Sequence, residues 1–155
     1  MEADSPAPVR SAECSKTYLM QTTGFQEAVE AVSREDDRYH PEAYVFLRDS
    51  LEATLKRRKK ARKDTSPHVG AVELLDGFRI YALAEFGPMS QMVLDYWGVR
   101  TTEDVGQMVF NLVKAGIFGK TEDDTLESFR CIYDFQEAFV EPFLPEYVRL
   151  NENPA

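Results

Sequence analysis

Only two cysteines, Cys14 and Cys131, occur in 155 residues, one in a polar N-terminal segment and the other far downstream. That usage does not support a disulfide framework and fits a reducing compartment. Histidine is equally scarce: His40 precedes Pro41 and His68 follows Pro67, and no HxxxH, HExxH or CxxC spacing is present. No transition-metal site is therefore implied. There is no glycine-rich phosphate loop, and Ser, His and Asp occur in no activating arrangement. The carboxylate clusters "EDD" at 35–37 and "TEDD" at 121–124 lack the spacing of a calcium loop and read as solvated acidic turns. Glu73 and Asp76, near the start of a helical segment, read as partners of its N-terminal dipole, not as an acid/base pair. No apolar run approaches membrane-spanning length. The opening "MEADSPAPVRSAEC" lacks the basic-then-apolar order of a signal peptide. The expectation is a cytoplasmic protein that is not an enzyme, with no cofactor, no metal, no membrane attachment and no small-molecule substrate implied.

Positive charge is also in short supply. Eighteen Lys and Arg face 27 Asp and Glu, a formal charge of −9, and a strongly acidic chain repels polyanions at long range. Seven of the basic residues sit in one run, Lys56, Arg57, Arg58, Lys59, Lys60, Arg62 and Lys63; without them the remainder is at −16. The run is either an electrostatic handle for RNA, DNA or an acidic protein surface, or a solvated helix end whose cations suit the macrodipole. It could also meet the protein's own acidic face. No aromatic is interleaved, so stacking on single-stranded bases is not suggested.

What remains is a globular composition, 43% hydrophobic and 29% charged, long enough for one hydrophobic core. The expected fold is mainly α, a compact helical bundle. Residues 1–22 read as a disordered or weakly ordered tail, 23–140 as one helical domain with a basic loop or helix end at 56–67, and 141–155 as an extended tail. A first helix is expected from Phe25 to about Ser33. A second starts at Pro41, with Tyr44, Leu47, Leu51 and Leu55 as its buried stripe. A third runs from about Ala71 to Phe86, with Leu75, Phe78, Ala82 and Phe86 in one row, and Gly87-Pro88 ends it. A fourth, Met89–Trp97, is expected to turn Met89, Met92, Val93, Tyr96 and Trp97 inward, with Gly98 in the left-handed position beyond it. The fifth helix opens with a Thr101/Asp104 capping pattern, and Val105, Met108, Val109, Leu112 and Val113 repeat at three and four until Gly116. Residues 117–133 leave three readings open, a small two-stranded hairpin (the wing), which is favoured, an irregular excursion, or a short helix in "TEDDTLESF". A short helix around Phe135–Phe139 follows.

Two short helices joined by a tight turn, the second leading into "KAGIF", give the C-terminal half a winged-helix-like pattern. Helix 102–115 then has an outer face holding Glu103, Gln107, Phe110, Asn111 and Lys114. Gln107 and Asn111 suit base reading, but Glu103 and Asp104 would face phosphates and repel them. Phe110 suggests contact with another apolar surface, either a partner's or, within the chain, the wing or the C-terminal tail.

The chain resembles an uncharacterised family of short bacterial proteins, a domain of unknown function. The likeness is carried by "DRYHPEAY" (37–44), "HV" and "ELLDG" (68–77), "FGPM" (86–89), "WGV" (97–99), "TEDVGQMVFNLV" (102–113), "GKTEDD" (119–124) and "YDFQEAF" (133–139), over about residues 25–140. It implies one folded bacterial domain and transfers no activity or ligand. Two departures stand out: Gly70-Ala71 replaces a Ser-Gly after the His-Val, and Cys131-Ile132 stands where a glycine often precedes "YDF". The leading functional expectation is a non-enzymatic module that binds a protein partner, or itself, through the outer face of helix 102–115. The alternative is association with RNA, a ribonucleoprotein or DNA through the basic run 56–63.

Overall fold

The apolar repeat that begins at Tyr44 winds residues Pro41–Lys60 into the longest helix, α2. Pro41 takes the first helical position, and the Nδ1 of His40 accepts the Glu42 N–H at 3.1 Å. Tyr44, Leu47 and Leu51 are fully buried; each such side chain contributes roughly 1.5–3 kcal/mol of hydrophobic stabilisation. The computed structural model describes residues 22–61, 69–118 and 125–146. The tail read at 1–22 therefore lies almost wholly outside the described residues, as do Arg62, Lys63, "TEDD" and most of 141–155.

Helix α1 (Thr22–Glu35) exceeds its expected span at both ends and buries Phe25, Val29 and Val32. The Arg48 guanidinium of α2 lies 4.6 Å from the centre of the Phe25 ring and holds the two helices together. Helix α3 (Ala71–Phe86) packs most extensively on α2. The two helices approach closely at Gly77, where a Cβ would lie 1.9 Å from Thr54 Oγ1. The buried hydroxyls on this side of α2 are satisfied within the helix: Ser50 donates to the Leu47 carbonyl and Thr54 to the Ser50 carbonyl, both at 2.8 Å. Phe46 sits at the centre of an aromatic group, its ring 5.1–5.5 Å from those of Phe78, Tyr81, Phe86 and Trp97.

A 3-10 turn at Gly87–Met89 leads into the short α4 (Ser90–Tyr96). Here the expected inward face is wrong. Ser90 and Leu94 are the buried residues, whereas Met89, Met92 and Tyr96 are 50%, 64% and 77% exposed. The cause is local: Ser90 Oγ is held against the Ala82 and Gly87 carbonyls, at 3.0 and 2.6 Å, and fixes the rotation of the helix. Only Val93 and Trp97 of the expected set turn partly inward.

Gly98 has φ +87° and lies against the backbone of Arg38, and the His40 N–H donates to the Trp97 carbonyl at 3.0 Å. This contact brings the α1–α2 turn against the α4–α5 turn. Helix α5 (Thr102–Lys114) begins with the expected capping box, Thr101 Oγ1 accepting the Asp104 N–H while Asp104 accepts the Thr101 N–H, each at 3.1 Å. Val105, Met108 and Leu112 are fully buried, as the three-four repeat requires.

Among the described residues there is no strand. Where the second half of a hairpin was expected, Leu126–Phe129 forms a 3-10 turn with Thr125 and Ser128 as its capping pair, and residues 119–124 lie outside the described set. Phe129 is buried against α5, so close to Gly106 that a Cβ there would meet its Cβ and Cγ at 2.6 Å. Helix α6 (Phe135–Phe139) follows as expected; Glu141–Phe143 is a 3-10 turn, not extended chain. Tyr133 donates its hydroxyl to the Leu75 carbonyl at 2.8 Å and so ties this last segment to α3.

Candidate functional site

Five side chains from three parts of the chain form a polar spine between α1, α2 and α5. Asn111, 7% exposed, donates through Nδ2 to Asp36 Oδ2 and to the Tyr44 hydroxyl oxygen, each at 3.0 Å. Its Oδ1 accepts from Gln107 Nε2 at 3.2 Å. Arg38 closes on Asp36 through Nε and Nη2, at 2.8 and 2.7 Å. These bonds from Arg38, with a further one from Asn111, hold the Asp36 carboxyl far below the usual carboxylate range against the opposing effect of burial. The Arg38 guanidinium is held correspondingly above its ordinary value, chiefly by the bond to Asp36. Burial raises the Tyr44 hydroxyl, partly offset by the hydrogen bond from Asn111. Alongside, Tyr39 donates to Asp104 Oδ1 at 2.7 Å. Burial, and then the bond to that carboxylate, keep Tyr39 protonated well above its usual range.

A groove of about 620 Å³ opens over this spine, lined by Glu35, Asp36 and Arg38 on one side and Gln107, Asn111 and Lys114 on the other, with Ala31, Val32 and Ala115. Its bottom is fixed by the Asn111 bonds. Its unused hydrogen-bonding capacity lies on Glu35, Lys114, one N–H and the carbonyl of Gln107, and the Nη1 end of Arg38. The four charged side chains are balanced in sign, so the groove is neutral as a whole.

The five residues read from the sequence as one outer face are therefore divided. Gln107, Asn111 and Lys114 line the groove, but Asn111 is buried and not on an exposed face. Phe110 is half-buried, with its ring edge-to-face on Phe129 at 6.1 Å, which is the intramolecular alternative weighed for it. Glu103 is exposed and lies in a different hollow, of about 520 Å³, shared with Arg100, Cys131 and Glu137. Asp36, read as part of a solvated turn, is instead the hub of the spine. Asn111, which donates to it, lies 75 residues away in the chain and 67 from its other partner Tyr44, and no local pattern announces those two pairings.

The basic run is divided too. Lys56, Arg57, Lys59 and Lys60 are exposed at the end of α2, which continues helical to Lys60. Arg58 turns inward: its side chain is 8% exposed and pairs with Glu73 of α3 through two of its nitrogens, Nε at 3.1 Å from Oε2 and Nη2 on Oε1. Among the described residues no three His, Cys, Asp or Glu side chains gather as a metal ligand set would, and no helix is long and apolar enough to cross a membrane. Compared with protein-family models, with curated proteins and with solved structures, the chain matches none.

Proposed function

We propose that the protein is a non-enzymatic interaction module whose binding feature is the groove between α1 and α5, occupied by a polar, mixed-charge segment of a protein partner. The observation that carries this reading is the convergence of Gln107, Asn111 and Lys114 with Glu35, Asp36 and Arg38 around one concavity whose bottom is locked by buried hydrogen bonds. A preformed polar site avoids the ordering cost that weakens association. The α4–α5 pair with its tight turn is read as a winged-helix-like core turned to protein contact, because the start of α5 presents Glu103 and a carboxylate-capped terminus where a groove reader needs donors. In the test, Gln107→Ala with Lys114→Glu is compared with the native chain by affinity purification from native cells and mass spectrometry. Loss of a partner retained by the native chain, with the helical circular dichroism spectrum retained, is the expected result; an identical set of partners removes the groove from consideration.

A second reading rests on Lys56, Arg57, Lys59 and Lys60, four exposed cations within two turns of one helix end. Such a cluster suits the phosphates of RNA or duplex DNA. It predicts a gel shift at low salt that disappears steeply as salt rises, and no shift eliminates it.

A further inference from the structure

The end of α2 carries a charge pattern unlike that of the other helices. Of the arginines among the described residues, all but Arg57 are in ion pairs with an aspartate or glutamate. Arg57 and its neighbours Lys56, Lys59 and Lys60 are exposed, and none of these four has an ion pair. A chain with 27 Asp and Glu against 18 Lys and Arg thus leaves four cations unmatched within two turns of one helix. The pairing of Arg58 with Glu73 fixes the roll of α2 at this end and holds the four outward. At about 100° per residue, Lys59, Lys56, Lys60 and Arg57 fall in that order around an arc of roughly 160° opposite Arg58. Lys59 and Arg57 are its flanks, Lys56 and Lys60 its centre. Ala53, one turn back, lines an open hollow with all four, and its small side chain leaves room beside the helix. Leu55 is packed on the core, so no large apolar side chain stands among the cations. Asp49 and Glu52 lie on the same side in earlier turns, Asp49 engaged by Arg48, and they confine the cationic contact to the helix end.

On the nucleic-acid reading of this cluster, on which the inference rests, we propose that its ligand is the backbone of B-form duplex DNA. The end of α2 lies in the major groove, Lys59 and Arg57 reach the phosphates of its two walls, and the grip is independent of sequence. Width selects this duplex. A helix with its side chains is about 10–12 Å across and the B-form major groove about 12 Å, whereas the deep, narrow major groove of an RNA duplex does not admit it. The spread of the cations matches two rows of phosphates, which neither a single strand nor a flat membrane offers. Those two also call for aromatic or apolar side chains beside the charges, and residues 53–61 supply no aromatic and no exposed large apolar one. The same stretch has no Asn or Gln to read adenine, which leaves the contacts on phosphates. The acidic remainder of the chain does not cancel the patch, because charges more than about 8 Å away are largely screened at physiological salt.

The experiment uses the full chain and labelled probes read by fluorescence anisotropy at low salt: a short mixed-sequence DNA duplex, a shuffled duplex of the same composition, the matching RNA duplex and one DNA strand. Phosphatidylserine vesicles and poly-glutamate serve as competitors. Arg57→Gln and Lys59→Gln remove one flank each, Arg130→Gln removes an exposed cation after α5 as a control, and circular dichroism checks folding. The expected result is equal binding of the two DNA duplexes and binding of the RNA duplex and the single strand weaker by fivefold or more. Each flank substitution weakens DNA binding severalfold and lowers the slope of log affinity on log salt by about 1, and the control leaves both unchanged. RNA duplex or single strand bound as tightly as DNA, displacement by vesicles or poly-glutamate at equal charge, or a flank that can be removed without effect overturns the inference and leaves the wider nucleic-acid reading standing. Absence of binding to every nucleic acid ends both.

Discussion

Asn111 Nδ2 donates to Asp36 Oδ2 at 3.0 Å, joining α5 to the turn after α1 across 75 residues of chain. The same amide serves Tyr44 and Gln107, so three partners depend on one side chain. Replacing Asn111 by alanine leaves the buried Tyr44 short of a donor and takes one donor from the partly buried Asp36. The expected loss is about 1–3 kcal/mol, seen as a lower urea midpoint with an unchanged slope. Asn111→Asp is expected to be worse, because it sets a second carboxylate against Asp36. An alanine variant as stable as the native chain would show that the spine contributes geometry without stability.

The depressed Asp36 carboxyl makes a pH prediction. Its folded value lies below its unfolded one, which is roughly 3.9 for an ordinary aspartate. Its contribution is therefore fully present above about pH 4 to 5 and is lost as pH falls through the folded value. Asp36→Asn is expected to flatten the acid side of the stability profile below about pH 4 and to leave the slope above pH 6 unchanged. A native-like acid limb in that variant would place the loss of stability on other carboxylates.

The helices themselves were legible because burial on one side imposes a three-four repeat, and α2, α3 and α5 show it over three or more turns. The α5 start was legible because a capping box is local chemistry: Thr101 and Asp104 lie three residues apart. Helix α4 has only seven residues, too few for the repeat to choose between two faces, and the deciding bond from Ser90 to the Ala82 carbonyl crosses from another helix. Asn111 and Arg58 failed for a related reason. A polar side chain among polar neighbours reads as wet, and only its partners, Asp36 and Tyr44 for one and Glu73 for the other, show that it is buried.

Two glycines with similar backbones are expected to respond differently. Gly98 and Gly116 have φ +87° and +81°, but a Cβ at Gly98 would lie 2.1 Å from the Arg38 carbonyl oxygen, while one at Gly116 meets nothing within 4 Å. Alanine at 116 should cost only the left-handed strain, about 1–2 kcal/mol. Alanine at 98 adds a clash with backbone that cannot swing away, and should cost more than about 3 kcal/mol or prevent folding. Paired thermal melts decide it, and equal losses would mean that the Arg38 turn yields.

Cys131 is the non-glycine residue with positive φ among those described, at 50°, and its side chain is exposed. No packing is lost on its removal, while a left-handed conformation is unfavourable for a side-chain-bearing residue. Cys131→Gly is therefore expected to be neutral or stabilising by up to about 1 kcal/mol, measured as a raised midpoint under reducing conditions. Destabilisation by that substitution would show that the thiol contributes contacts that outweigh the strain.

The basic run should split under mutagenesis as it splits in space. Arg58 has a buried guanidinium on Glu73, whose own side chain is 43% exposed, so the pair lies between the wet and the fully buried cases. Removing Arg58 also removes an apolar stem from the α2–α3 junction. Arg58→Ala is expected to lower stability by about 1–2 kcal/mol and to leave the remaining positive field at the helix end largely intact. Neutralising Lys56, Arg57, Lys59 and Lys60 together should do the opposite. The stability cost is then only the loss of favourable charge at a helix C-terminus, on the order of 1 kcal/mol at low salt and less at high salt. Any polyanion binding, on the other hand, should weaken sharply, since those four are the exposed cations of the run among the described residues. Chemical denaturation and a low-salt gel shift on the two variants separate the roles. If Arg58→Ala abolishes binding while the fold is unperturbed, the inward pairing with Glu73 does not persist in solution, and all five cations belong to one surface.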